Sequence, residues 1–283
     1  MEQTELRRLG QNVRMVVCDL DQTLLNSDAT LSAENLDAIR AAEAKGIFVT
    51  ICSGRIFPML EAYARKLDIQ GPVITTNGAA IVDGKTGKLL SNHPIPRDAA
   101  VRILDYARER DYDYSALTGQ VSYFSGNSLR IRRFERYNEI AEAGGITPMQ
   151  LEYFDGRSYA DIDNDILKML LYQIPEEEFA MVTAFLDSIP EISYTSSDEG
   201  LLDIMAAGTN KGTAVAEVRN LLGLGKDQVC VFGDYINDLA MFEEADLKIA
   251  MANAHDELKC KASHVTDTND RAGVARAIEA LML

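Results

Sequence analysis

The sequence predicts an α/β protein with a Rossmann-like core, built on a parallel sheet, and an inserted α+β domain. Short apolar, β-branched runs alternate with segments of helical periodicity at both ends of the chain, which is typical of strands and helices in a parallel sheet. Most of these runs stop abruptly at polar or acidic residues, as strands buried on both faces do at a sheet edge. The middle of the chain lacks this regularity and is therefore predicted to be a second folding unit.

The first core strand is predicted from Met15 to Asp19, an apolar run that ends in an acid. Apolar residues at helical spacing between positions 31 and 42 predict a helix that ends at Gly46. Ile47–Cys52 and Pro72–Thr76 are predicted as the second and third strands, with a helix between them. Strand, helix, strand, helix, strand in this order predicts parallel strands joined by right-handed crossovers.

The character of the sequence changes after the third strand. Ala79–Val82 and Lys88–Ser91 flank Asp-Gly-Lys-Thr-Gly and predict a hairpin, and His93–Pro96 is predicted as a linker. The elements predicted beyond it are helices at Asp98–Arg110 and Ser128–Ala143, strands at Tyr112–Ala116, Gln120–Phe124 and Leu167–Gln173, and a helix opening at Pro175. The parallel pattern then resumes at Gly212–Leu222, Val229–Phe232, Leu247–Met251, His264–Thr266 and Arg271–Leu283. We therefore predict a core formed by residues 1–95 and 200–283, with the inserted domain over residues 96–199.

The composition is that of an acidic globular protein. With 28 Lys and Arg against 44 Asp and Glu, the chain of 283 residues has a formal charge of −16. This charge argues against general binding to nucleic acid or to anionic membranes, whereas it would attract a divalent cation. The N-terminal residues lack the apolar segment of a signal peptide, and no run is long enough to span a bilayer. We therefore expect a cytoplasmic protein.

Three of the four cysteines, Cys18, Cys52 and Cys230, lie inside apolar strand-like runs. The fourth is Cys260, and no two of the four form a CxxC pair. This pattern favours small buried thiols over zinc ligands or disulfides.

Polar residues that follow the predicted strands are the candidates for a functional site. In chain order they are Asp19, Asp21, Ser53, Asn77 and Asp234, and the carboxyl ends of parallel strands share one sheet edge. Lys211 stands just before a helix, from where its side chain would reach the same edge. Oxygen ligands suit Mg²⁺, and a lysine with N–H groups at a helix start suits phosphate. Acids that only cap helices, and a solvated lysine, are the alternative.

Four segments taken together resemble the motifs of the haloacid dehalogenase superfamily, and within it the Cof-type phosphatases that carry a large α/β cap. In order, these segments are Asp19–Leu24, Cys52–Arg55, Lys211–Gly212 and Gly233–Asp238. Further similarity near Met251–Ala254 and Gly273–Ala275 extends the resemblance over nearly the whole chain. Gln22 departs from the family, which usually has glycine there, and Ser53 replaces the threonine that is common at its position.

The resemblance implies a role for each motif residue. It makes Asp19 the nucleophile that accepts a phosphoryl group, and Asp21 the general acid and base that protonates the leaving alcohol and later takes a proton from water. The implied Mg²⁺ ligands are Asp19, the backbone carbonyl of Asp21, and Asp234. The implied phosphate ligands are Ser53, Gly54, Lys211 and Asn237.

Four further residues have open interpretations. Asp238 is expected to support metal-bound water or Lys211, and Arg55 is equally consistent with a structural salt bridge. Asn253 and Asn269 lie near later strand ends, where loop capping and support of the site are equally consistent with the pattern.

The expected function is a Mg²⁺-dependent phosphatase of small phosphorylated metabolites that acts through an aspartyl-phosphate. The resemblance favours sugar phosphates as substrates, with pyridoxal or flavin phosphates as other candidates selected by the cap. A phosphotransferase or mutase that uses the same intermediate is one alternative. A catalytically silent phospho-ligand sensor, in which Gln22 compromises the loop, is another. The physiological substrate and the oligomeric state are not specified by the sequence.

Overall fold

The computed structural model describes residues 3–126, 128–154, 162, 165–198 and 200–283. In this part of the chain the strands are β1 (Met15–Cys18), β2 (Phe48–Ile51), β3 (Pro72–Thr75), β4 (Ala80–Asp83), β5 (Leu89–Asn92), β6 (Asp113–Leu117), β7 (Val121–Phe124), β8 (Gln150–Tyr153), β9 (Lys168–Tyr172), β10 (Ile192–Asp198), β11 (Leu201–Ala206), β12 (Val229–Gly233), β13 (Leu247–Ala250) and β14 (His264–Val265). The α-helices are α1 (Gln3–Asn12), α2 (Ala33–Ala44), α3 (Phe57–Lys66), α4 (Arg97–Glu109), α5 (Ile131–Ala143), α6 (Phe179–Asp187), α7 (Lys211–Leu221), α8 (Leu239–Phe242), α9 (Asp256–Lys261) and α10 (Gly273–Leu281).

The core is a parallel sheet of five strands in the order β14-β13-β12-β1-β2. Every residue of β1 is buried, which explains its uninterrupted apolar sequence, because helices cover both faces of such a sheet. The prediction of an α/β fold with a parallel core is confirmed. As a result, the carboxyl ends of β1, β2 and β12 lie side by side at one edge.

The third predicted strand does not extend this sheet in the expected way. β3 pairs antiparallel with β4 in a separate sheet ordered β3-β4-β5. Among the described residues, its parallel pairing with the core is one isolated bridge, between Cys52 and Ile74. Thr76, Asn77 and Gly78 all have positive φ angles, so the chain reverses directly after β3. β4 therefore pairs antiparallel with β3, at the position where another parallel strand was expected.

A second, mostly antiparallel sheet is ordered β10-β11-β9-β6-β7-β8 and has its own apolar cluster with α4 and α6. Its neighbour α5 packs against α3 of the core. We refer to this sheet and α4–α6 as the cap. The sequence-predicted boundary at residue 199 falls between β10 and β11, which pair with each other. The division of the chain into core and cap domains stays a prediction.

The N-terminal helix α1 was not predicted from the sequence. α1 packs against α10, where the Cα of Gly10 approaches so closely that a Cβ on it would lie 2.1 Å from the carbonyl oxygen of Leu281. Its two buried leucines, Leu6 and Leu9, are too few to reveal a helix by periodicity.

Cys18, Cys52 and Cys230 are buried free thiols, as expected. Within the described residues, no helix has the length and apolar character needed to cross a membrane.

Candidate active site

The loop after β1 places Asp19 at the sheet edge. The backbone N–H of Asp19 donates to the carbonyl of Phe232 at 2.9 Å, which continues the pairing of β1 with β12 by one residue. The chain then turns through Gln22, whose φ of 60° is in the left-handed region that glycine adopts most easily. Asn253 donates to the carbonyl oxygen of Gln22 at 2.8 Å. This contact holds the unusual turn and gives Asn253 a supporting function for the Asp19 loop.

Lys211 is the first residue of α7 and is almost fully buried. Asn210 caps this helix by accepting a hydrogen bond from the backbone of Thr213, which fixes where the lysine side chain begins. Lys211 Nζ donates to Asp19 Oδ1 at 2.5 Å and to Asp238 Oδ1 at 2.6 Å. Burial favours the neutral amine, but the two carboxylates outweigh it and raise the pKa of Lys211 well above its ordinary value. The lysine is therefore a fixed positive charge.

Asp234 follows β12 and faces Asp19. Thr23 Oγ1 donates to Asp234 Oδ1 at 2.6 Å, so the loop after β1 also orients this second acid. One oxygen from each of Asp19, Asp234 and Asp238 lies within 4.8 Å of the others. Burial raises the pKa of Asp19 to about 7 despite Lys211, and burial with repulsion from Asp19 raises the pKa of Asp234 to about 8.

Asp238 uses both of its carboxylate oxygens within the protein. Oδ1 accepts from Lys211, while Oδ2 accepts from the backbone N–H of Asp234 at 2.8 Å and of Tyr235 at 3.1 Å. Asp238 thus orients Lys211, which was one of the two expectations from the sequence, and it also orients the loop that carries Asp234, which was not expected. The donor set fits a divalent cation between Asp19 and Asp234. These two acids lie close together and have raised pKa values, and a divalent cation would stabilise their ionised forms.

The carboxylate of Asp21 lies outside this cluster and pairs with Arg55. Arg55 Nε donates to Asp21 Oδ2 at 2.8 Å, and Nη2 donates to the other oxygen. Burial raises the pKa of Asp21, but the guanidinium of Arg55 outweighs burial and holds that pKa below its ordinary value. Arg55 also stacks 4.2 Å from the ring centre of Tyr137 in α5. Arg55 is therefore a salt-bridge residue that touches both Asp21 and the cap.

The loop after β2 is held in place by its own backbone and by β3. Ser53 N–H donates to the carbonyl of Ile74 at 3.0 Å, and the N–H of Asn77 donates to the carbonyl of Ser53 at 2.9 Å. Asn237 Nδ2 lies 3.4 Å from Asn77 Oδ1. The predicted phosphate-binding residues Ser53, Gly54 and Asn237 all line the cavity that contains Asp19 and Asp234.

This cavity lies between the core and the cap and has a volume of about 460 Å³. Its cap wall has an apolar part and a cationic part; the lining residues are Leu117, Phe134, Tyr137 and Leu170, and Arg130, Arg133 and Lys168. Sequence reasoning missed these cap residues and gave Thr23 no role. One available signal was the run Arg130-Ile131-Arg132-Arg133, a concentration of positive charge in an acidic chain.

Comparison with known proteins identifies the class. A family profile described as haloacid dehalogenase-like hydrolase matches residues 16–278. The 5-amino-6-(5-phospho-D-ribitylamino)uracil phosphatase YwtE of Bacillus subtilis is 33% identical, over 95% of this chain and 98% of that protein. YcsE of the same organism has the same activity in its name and is 30% identical, over 96% of this chain and 97% of that protein. The structure of a haloacid dehalogenase-like hydrolase from B. subtilis has a TM-score of 0.81 at 27% identity, covering 94% of this chain and 99% of that one.

These matches extend over nearly the whole chain and over nearly the whole of each relative, so they define the protein as a hydrolase. More specifically, the chain belongs to the haloacid dehalogenase-like hydrolase family and is an enzyme of the phosphatase type.

Proposed function

We propose that this enzyme is a Mg²⁺-dependent phosphatase of small phosphorylated metabolites that acts through a phosphorylated Asp19. The observation that carries the proposal is the contact of one buried ammonium, Lys211, with Asp19 and Asp238 beside Asp234. A carboxylate attacks a phosphate dianion only where their mutual repulsion is offset. Lys211 supplies one positive charge at the attacking group. Asp19 and Asp234 would hold a divalent cation, which supplies two more positive charges.

The reaction has two halves. In the first, an oxygen of Asp19 attacks phosphorus, the bond between phosphorus and the ester oxygen breaks, and the leaving alkoxide takes a proton. In the second, water attacks the same phosphorus and releases the Asp19 carboxylate and inorganic phosphate. Splitting one slow hydrolysis into two displacements lowers each barrier. Ser53, Gly54, Lys211 and Asn237 are the residues that we assign to the phosphate oxygens.

Mg²⁺ would be held by Asp19, by the backbone carbonyl of Asp21 and by Asp234, where it would neutralise charge on the transferred phosphoryl group. Both carboxylate oxygens of Asp238 already accept hydrogen bonds, from Lys211 and from the Asp234 loop, so we assign Asp238 an orienting function rather than a place among the ligands.

Asp21 is the proposed general acid and base. Its pairing with Arg55 keeps it ionised, which suits the second half, where it takes a proton from the attacking water. The first half requires a protonated Asp21, so we propose that the substrate displaces Arg55 from this carboxylate before the ester bond breaks.

The cap wall and the relatives support the proposed substrate class. An aromatic and cationic wall opposite the acids suits a leaving group that has both polar and flat apolar parts. Sugar phosphates remain the class that we propose. Because YwtE and YcsE are named for 5-amino-6-(5-phospho-D-ribitylamino)uracil, this ribityl phosphate is the first compound to test.

The test is release of inorganic phosphate from a panel of phosphate esters, with Mg²⁺ and with EDTA, in the absence of any acceptor alcohol. We expect turnover that requires Mg²⁺ and is fastest with a sugar or ribityl phosphate. An absolute requirement for a sugar acceptor would instead establish a phosphotransferase. Mg²⁺-dependent ligand binding without turnover of any ester would establish the silent sensor.

A further inference from the structure

One buried lysine of the cap reaches into the phosphate-binding loop of the core. Lys168, on β9, is 3% exposed, and Asp203 on the neighbouring β11 is fully buried. Lys168 Nζ lies 2.6 Å from Asp203 Oδ1 and donates a hydrogen bond to the carbonyl oxygen of Gly54 at 3.1 Å. This hydrogen bond crosses directly from the cap to the loop between β2 and α3.

The peptide that Lys168 contacts is also bonded to Ser53. The carbonyl of Gly54 and the N–H of Arg55 belong to one planar peptide group, and that N–H donates to Ser53 Oγ at 3.3 Å. Fixing the carbonyl end of the peptide therefore fixes the N–H end and the hydroxyl oxygen to which it is bonded. With that oxygen accepting from Arg55, the Ser53 hydroxyl hydrogen is free to point at a phosphate oxygen.

The loop has little freedom to move around this contact. A Cβ added to Gly54 would lie 3.1 Å from Lys168 Nζ and 2.9 Å from Asn77 Oδ1, so the glycine fills a narrow space between the cap lysine and the core asparagine. Lys168 and Asn77 thus both border the Gly54 backbone, and Lys168 adds a contact from the cap to those that β3 makes with this loop.

Stability alone does not explain a buried ion pair at this place. Two charges removed from water gain little over a well-packed apolar pair, because desolvation offsets their attraction. Burial lowers the pKa of Lys168 against the opposing effect of Asp203, and the charges of Arg130 and Lys211 lower it further. Lys168 lines the same cavity as Arg130 and Arg133, so its ammonium lies among other cations. This placement is unfavourable for stability, and a function in the site would explain it.

We propose that Lys168, held by Asp203, is a positioning residue that couples docking of the cap to the geometry of the phosphate-binding loop. The inference rests on the proposed phosphatase function. Lys168 orients the Gly54–Arg55 peptide and thereby the Ser53 hydroxyl and the start of the Arg55 side chain. When the cap withdraws, the loop loses this support and binds phosphate more weakly.

The test uses a double variant, Lys168→Met with Asp203→Asn, in the full chain. Removing both charges avoids leaving a lone buried carboxylate, so the variant is expected to fold, which circular dichroism checks. The matched control is Lys226→Met. Lys226 also contacts one backbone carbonyl, that of Glu243 at 2.7 Å, and one carboxylate, Glu244 at 3.2 Å, but it lies outside the cavity.

Two measurements are made in Mg²⁺: kcat/KM for two esters with unrelated leaving groups, and the inhibition constant of inorganic phosphate. We expect the double variant to lose about 10- to 100-fold in kcat/KM, equally for both esters, since small misplacements of a binding group have effects of this size. Inhibition by phosphate should weaken about tenfold, and the control should match the parent enzyme.

An unchanged inhibition constant for phosphate in the folded double variant would overturn the proposal. So would a loss confined to one ester, which would make Lys168 a contact of the leaving group. If the parent enzyme hydrolyses no ester, the proposed phosphatase function fails, and calorimetric binding of phosphate then tests Lys168 on its own. Weaker binding by the double variant supports the positioning role, whereas equal binding, or none by the parent protein, overturns it.

Discussion

Lys211 is the residue on which the charge balance of the site depends. It contacts Asp19 and Asp238, and Asp234 completes the cluster. With all three carboxylates ionised, the four side chains carry a net charge of −2 (−3 + 1), which is the charge that one divalent cation neutralises. The site is therefore balanced for a bound cation and unbalanced without one, and the repulsion between its acids adds to burial in raising the pKa values of Asp19 and Asp234.

Replacing Asp19, the proposed nucleophile, tests its role directly. Asp19→Asn keeps the shape of the side chain but removes the anionic oxygen that would attack phosphorus. We expect phosphate release to fall at least about 10³-fold, while the thermal midpoint stays the same or rises because one buried like charge is gone. Phosphate release and thermal denaturation are measured on the same preparation. Residual turnover within tenfold of the parent enzyme would rule out Asp19 as the nucleophile.

At the scale of elements, the site depends on how closely α7 approaches α8. A Cβ on Gly212 would lie 2.2 Å from the carbonyl oxygen of Ala240, so only glycine permits the two helices to touch there. Lys211 begins α7 and Asp238 precedes α8. The spacing between the helices therefore sets the hydrogen bond between these two side chains.

Gly212→Ala should separate the two helices. The added methyl meets backbone atoms, which cannot rotate away, so we expect the free energy of unfolding to fall by about 1–3 kcal/mol although alanine favours helices. Activity should fall as well, because Lys211 is displaced from Asp238. Urea denaturation and kcat measure the two effects. Gly119→Ala is the control, since nothing lies within 4 Å of its added Cβ; equal behaviour of both variants would contradict this account.

The strands and loops show which site residues can be predicted from the sequence and which contacts cannot. The positions of Asp19, Ser53 and Asp234 were predictable, because each follows an apolar run that only a buried strand explains. The pair of Lys168 and Asp203 was not, since one lysine and one acid in separate apolar strands become neighbours only through the order β11-β9. The contact of Asn253 with Gln22 likewise joins two loops whose meeting no local pattern encodes.

At the scale of the whole molecule, an acidic chain concentrates buried acids at one edge of its central sheet. The chain has a formal charge of −16, and the pairing of Asp19 and Asp234 adds repulsion within the fold. Such a site lowers the stability of the folded state, and a ligand that binds only the folded state raises that stability again. We therefore expect the stability of the entire protein to depend on pH and on the binding of a divalent cation.

The sign of this dependence follows from the pKa values. In the metal-free chain, the pKa of Asp19 is about 7 and that of Asp234 about 8, against roughly 4 in an unfolded chain. Between about pH 4 and pH 8 the folded state binds more protons than the unfolded state, so these two groups make stability fall as pH rises through that window. The proposed Mg²⁺ would bind the deprotonated carboxylates, so we expect its stabilising effect to grow over the same range.

Thermal denaturation at pH 6 and pH 8.5, with EDTA or with excess Mg²⁺, checks this expectation. Saturation at about 100 times Kd stabilises a folded state by about 2.7 kcal/mol, which raises the thermal midpoint of a protein of this size by about 5 °C. We expect the larger shift at pH 8.5. In EDTA, Asp234→Asn should be more stable than the parent protein at pH 8.5 and should respond little to Mg²⁺. If Mg²⁺ shifts both proteins equally, or shifts the parent equally at both pH values, the cation does not bind between Asp19 and Asp234.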